Sequence, residues 1–144
     1  RSLNDGAFRE WFEVSLSQSK YQNLIIECSE YTLVYLTEVA VQWLHKMAAL
    51  GLRLSVDHVG TSGKNFGFLA RYPIYQGKSE RRFIRDIDQH SEHAFFVNAM
   101  SQVFHAQQAL CIAEGVENER EKTALLELGV DGVMGYALAK PQVL

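Results

Sequence analysis

Five short apolar runs in this chain each end on a polar, charged or small residue, and between them the apolar positions switch to a spacing of three and four. The runs are Leu24-Ile25-Ile26-Glu27, residues 53–57 ending on Asp57, residues 74–78 ending on Lys78, residues 109–113 followed by Glu114, and residues 130–134 leading into Gly135. Runs of that length read as buried strands, and the intervening spacing reads as amphipathic helices. Regular β-α alternation implies a parallel sheet with crossover helices, so the fold class is α/β. Two architectures satisfy it: an open doubly wound sheet, or the later part of a (β/α)₈ barrel, which normally needs about 250 residues.

The helical stretches can be placed from their patterns. Residues 5–17 carry Phe8, Trp11, Phe12 and Leu16 on one face, with Trp11 and Trp43 expected in the core. One long helix is predicted through Leu33, Leu36, Ala40, Leu44, Met47 and Ala48, ending at Gly51. A short helix over residues 64–71 closes before Pro73. The strand at 74–78 is the weakest, because Gln76-Gly77 interrupts it. Residues 91–107 form a helix expected to bury Phe95, Phe96, Ala99, Val103 and Ala106. Asn118 caps a last helix with Glu121 as capping-box partner, and Leu125 and Leu128 face inward.

Charge and length narrow the function classes. At 144 residues the chain can bury one core, and its net charge of −3 supplies no basic field for DNA. No apolar run approaches the ~18 residues of a membrane span, and no signal peptide is visible. The chain starts without Met, which suggests a piece of a larger protein. Cys28 and Cys111 lack metal or CxxC spacing and read as reduced thiols of a cytoplasmic domain.

In both architectures ligands collect at the carboxyl ends of the strands. There the chain offers Glu27 with Glu30, Asp57, Lys78 with Glu80, Glu114 with Glu117, and Met134. Carboxylates suit Mg²⁺ or Mn²⁺, and a lysine among them suits a phosphate substrate. Solvated charges at strand ends are the plain alternative. Lys78, Arg81, Arg82 and Arg85 form a basic cluster that either meets a ligand phosphate or faces solvent. His90 and His93 have the spacing of a metal pair, although two exposed polar residues explain them more simply.

These motifs also resemble a known family. Glu27-Cys28-Ser29-Glu30, Asp57-His58-Val59-Gly60-Thr61, Lys78-Ser79-Glu80, Ala113-Glu114-Gly115-Val116-Glu117 and Gly135-Tyr136 are similar, in order and spacing, to the C-terminal half of EAL domains. Those are (β/α)₈ cyclic di-GMP phosphodiesterases and receptors of bacteria. The resemblance implies a TIM-barrel-family fold, with residues 1–144 covering roughly the last five β/α units as the C-terminal portion of one domain.

It further implies that Glu27 and Asp57 are metal ligands, that Glu30 anchors the loop after the next strand, and that Lys78 orients the attacking water. Glu80 stands where the lysine motif has an aspartate. Glu114 matches a glutamate essential for hydrolysis, and Glu117 and Gly135 lie on the ligand side. Implied companions are cyclic di-GMP, Mg or Mn if the domain is active and no cofactor otherwise, a homodimer through the domain, and an upstream sensory or diguanylate-cyclase-like domain. The implied setting is cytoplasmic, free or within an inner-membrane protein.

The departures from the family pattern matter as much. His58 replaces the second aspartate of Asp-Asp-Phe-Gly-Thr-Gly, Val59 its phenylalanine and Ser62 its last glycine. Met134 replaces a glutamine, and neither the Glu-Ala-Leu motif nor the metal-binding asparagine precedes Arg1. The expectation is a degenerate domain that binds cyclic di-GMP without efficient hydrolysis, as LapD-like receptors do. The alternatives are a phosphodiesterase that tolerates His58, and a ligand-free domain acting through protein or RNA contacts.

Overall fold

The five apolar runs form strands, and their order decides between the two architectures. In the computed structural model, which describes residues 2–17, 24–135 and 138, the strands are β1 (Ile25–Ser29), β2 (Arg53–Val59), β3 (Ile74–Ser79), β4 (Leu110–Glu114) and β5 (Gly132–Met134). They pair in parallel in the order β1-β2-β3-β4-β5, with no reversal. A doubly wound sheet must reverse its strand order at a switch point; a barrel arc runs consecutively. The sheet is therefore five consecutive strands of the barrel type.

The connecting helices are α1 (Gly6–Ser17), α2 (Glu30–Val34), α3 (Glu38–Ala49), α4 (Ser91–Ala106) and α5 (Glu119–Glu127). Short 3-10 turns at Phe66–Arg71 and Arg81–Phe83 lengthen the loops that follow β2 and β3. The core lies on one face of the sheet, where Leu54, Val56, Cys111 and Ala113 meet Leu44, Met47, Val97, Met100 and Phe104. Because side chains alternate across a strand, the other face carries Ile25, Leu110 and Met134, all exposed.

Three helical expectations need correction. The single long helix is two, α2 and α3, separated at Tyr35-Leu36-Thr37. Thr37 caps α3 by accepting from the Ala40 N–H at 3.3 Å. Asn4, far back in the chain, donates to the Tyr35 carbonyl at 3.0 Å and accepts from the Thr37 N–H at 2.9 Å. The peptide groups freed by the break thus find partners that local periodicity cannot reveal.

Trp11 is 63% exposed, whereas Trp43 is buried with its indole N–H on Glu13. In α4 the buried residues are Val97, Met100, Ser101 and Phe104, and Phe95 points outward. The cause lies in β3. A Cβ on Gly77 would sit 2.0 Å from the Phe104 ring, so the glycine that weakens the strand by pattern is the seat that turns α4.

Candidate functional site

Register brings the strand-end charges together. Glu27 pairs with Ser55 and Ser55 with Gln76, while Lys78 pairs with Ile112 and Glu114 with Met134. Paired residues share a face, as do residues two apart on one strand. Glu27, Asp57, Lys78, Glu114 and Met134 therefore stand on the open face, away from the helices. The Lys78 ammonium donates to Glu27 Oε2. Burial opposes its charge, but the Glu27 hydrogen bond and the nearby Glu114 and Asp57 carboxylates hold its pKa above the ordinary value. Lys78 is thus a fixed cation among acids.

The loop after β2 departs from regular strand geometry at His58. Its φ is 54°, uncommon for a residue other than glycine, and the β2–β3 register shifts between Val56 and Val59. The distortion swings the imidazole over the site. Its Nδ1–H donates to Glu80 Oε2 at 2.7 Å, and its Nε2 lies 3.5 Å from Asp57 Oδ2. The Glu80 hydrogen bond, reinforced by the charges of Asp57 and Glu114, raises the His58 pKa above its usual value despite some desolvation. Asp57 also accepts from the His58 backbone N–H at 2.7 Å.

Two buried glutamates hold the loops. Glu30, fully buried at the start of α2, accepts through Oε2 from the Gly60 N–H at 3.1 Å and the Ser62 N–H at 2.7 Å. Its Oε1 is buried without a hydrogen-bond partner. Glu121, also buried, accepts from the Asp86 N–H at 2.9 Å and the Glu117 N–H at 2.7 Å. Asn118 does cap α5, accepting from the Glu121 N–H at 2.9 Å. Glu121 reaches past the capping residue to Glu117, however, so it joins two loops instead of closing a capping box on Asn118. Its place in α5 made it a cap candidate, but the Asp86 contact spans 35 residues of chain and left no local signal.

At the far side, Met134 O accepts from the Gly115 N–H at 2.8 Å and the Val116 N–H at 3.0 Å. A Cβ on Gly135 would lie 2.2 Å from the Val116 carbonyl oxygen, so only glycine lets β5 leave beside this loop. Tyr136 lies outside the described residues. Glu117 is drawn to the rim, where its Oε1 accepts from Arg81 and Arg85, and the Arg81 hydrogen bond leads in lowering its pKa. Arg82 instead donates to the Gly60 carbonyl and stacks on Phe83. The basic cluster is thus divided among three partners.

The His90 and His93 rings lie 4.9 Å apart, but among the described residues no three His, Cys, Asp or Glu side chains form a metal-binding group. At the strand ends Glu27 is engaged by Lys78 and Asp57 by His58, so the two carboxylates available to a divalent ion are both already paired. Cys28 and Cys111 are free thiols, and burial pushes Cys111 up to about 12. No helix among the described residues is long and apolar enough to cross a membrane.

Consecutive parallel strands with charged residues gathered at their carboxyl ends define a barrel-type α/β domain, a class in which ligands bind at the strand ends. The EAL domain family matches residues 1–141, and the chain belongs to that family. Among its relatives, the cyclic di-GMP phosphodiesterase PdeR of Escherichia coli K12 is 31% identical over 122 residues, 85% of this chain and 18% of PdeR. The bifunctional diguanylate cyclase/cyclic di-GMP phosphodiesterase MucR of Pseudomonas aeruginosa is 29% identical over 119 residues, 83% of this chain and 17% of MucR. The solved MucR phosphodiesterase in complex with cyclic di-GMP superposes with a TM-score of 0.84 at 25% identity, covering 98% of this chain and 58% of that one. The chain thus spans under a fifth of these two curated relatives and somewhat over half of that solved domain.

Proposed function

We propose that this sequence is the C-terminal portion of an EAL domain that binds cyclic di-GMP as a signalling receptor without hydrolysing it efficiently. The observation that carries the reading is His58, whose imidazole is held between Asp57 and Glu80, within 3.5 Å of the Asp57 carboxylate. An imidazole there, neutral or cationic, stands where a carboxylate would add to the field that holds a divalent ion, and so weakens that field. Binding a cyclic dinucleotide needs shape, backbone contacts and a few charges, whereas hydrolysis needs groups that act in the transition state. Loss of metal affinity therefore removes turnover before it removes binding.

Within this reading Lys78, Glu114, Glu117 and Gly135 line the ligand side, Glu30 anchors the His58 loop, and Glu27 with Asp57 is a partial metal set. The domain is assigned to the cytoplasm, and a sensory or cyclase-like domain and a second copy are its expected companions. A phosphodiesterase using Mg²⁺ or Mn²⁺ is the second reading, favoured by the retention of Glu27, Asp57, Lys78 and Glu114 on one face.

Calorimetric titration of cyclic di-GMP into the full-length protein, with a hydrolysis assay in Mg²⁺ and Mn²⁺, separates the readings. Binding without linear product is the expected result, rapid formation of pGpG supports the phosphodiesterase, and no binding refutes both. His58→Asp is expected to raise any residual hydrolysis by about tenfold or more, the scale of changing a group that supports a metal ligand.

A further inference from the structure

We propose that Glu121 is a positioning residue for the ligand rim: by clasping the loops after β3 and β4 it holds Arg81 and Arg85 over Glu117, ready to receive an anionic ligand. The ligand in question rests on the cyclic di-GMP reading, while the clasp rests on geometry alone. Burying a carboxyl group is costly unless its oxygens find donors. Both oxygens of Glu121 do, and both donors are peptide N–H groups of loops: Asp86 at 2.9 Å and Glu117 at 2.7 Å.

Each donor sits where the chain needs holding. Asp86 has φ of 52°, a left-handed position that is strained for a residue with a side chain. Glu117 follows Gly115, whose positive φ and missing Cβ let the Arg81 stem lie against the loop, since a Cβ there would come within 2.6 Å of Arg81 Cγ. Arg81 and Arg85 then converge on a single oxygen of Glu117. The chain of contacts runs from a buried carboxyl group, through two peptide groups, to two guanidinium groups at the rim. Arginines already ordered before a ligand arrives lose less freedom on binding it.

The test uses the full-length protein with Glu121→Gln, Glu121→Ala and, as a control at the neighbouring, half-buried position of α5, Lys122→Ala. Residue-resolved hydrogen exchange at Asp86 and Glu117 reads the clasp, and calorimetry with cyclic di-GMP reads the rim. Glu121→Gln keeps one acceptor oxygen and sets an NH₂ against a peptide N–H. It should speed exchange at one of the two amides and weaken cyclic di-GMP by about tenfold, the scale of losing one buried hydrogen-bond acceptor. The unpaired N–H should also lower the melting temperature relative to Lys122→Ala, so affinities are compared at a temperature where every variant is fully folded.

Glu121→Ala should affect both amides; if it fails to fold, Glu121→Gln alone decides. A double-mutant cycle with Arg81→Ala should be non-additive in affinity if Glu121 acts through that arginine. Unchanged exchange, additive effects, or faster exchange with undiminished affinity would each overturn the proposal. If the wild-type protein fails to bind cyclic di-GMP, the ligand reading and the rim role fall together, while the exchange data still decide whether the clasp exists.

Discussion

His58 links the electrostatics of the site to pH. Its imidazole is raised above the ordinary 6.5 first by the Glu80 hydrogen bond and then by the surrounding carboxylates. A group whose pKa is higher folded than unfolded stabilises the fold fully below the unfolded value, and that contribution is lost as pH rises through the folded value. The side chain is 57% exposed, so solvent screening keeps the effect small. NMR titration should place the His58 midpoint above 6.5, and Glu80→Gln should lower it. The melting-temperature gap between wild type and Glu80→Gln should narrow as pH rises from below 6.5 to above it. A gap that widens with pH would reverse the sign of the assigned interaction.

At the level of elements, the decisive contact is that of β3 with α4. Gly77 leaves room for the Phe104 ring, and a methyl group there would overlap it at 2.0 Å. Overpacking of this kind costs about 1–3 kcal/mol. Gly77→Ala should lower the free energy of unfolding by that amount, without the change in φ that complicates glycine substitutions in loops, and equilibrium denaturation measures it. A neutral result would mean that α4 shifts freely on the sheet. The α2–α3 break depends on a second such contact. Thr37 is a recognisable cap once the break is known, but the reason to break there is Asn4, which bonds peptide groups on both sides of it.

For the whole molecule, the open sheet face and the two outer strands set the behaviour. Among the described residues β1 and β5 each pair with one neighbour only, and Ile25, Leu110 and Met134 are exposed on the face where a closed barrel would bury them. A cavity of about 490 Å³ lies beside β1, lined by Phe8, Phe12, Ile26, Tyr35 and Trp43. The isolated 144-residue chain should therefore associate as concentration rises, detectable by analytical ultracentrifugation. A monomer that unfolds cooperatively at low concentration would contradict this.

The strand runs, their polar ends and the positions of Glu27, Asp57, Lys78 and Glu114 were legible in the chain, because a period of two or a continuous apolar run is a local property. The family resemblance at Ala113-Glu114-Gly115-Val116-Glu117 was local too. The alternation alone left the strand order open, since it serves doubly wound and barrel sheets alike; the family resemblance pointed to the barrel, and the consecutive pairing agrees with it. The rotation of α4 onto Gly77, the exposure of Trp11 and the second reach of Glu121 to Asp86 were not legible. Each of these is set by a partner 27 or more residues away, or by the lack of one, which periodicity does not encode. Sequence alone determined which chemical groups stand at the strand ends. Tertiary structure decided what each of them touches, because hydrogen bonds and steric fit act through space and not along the chain.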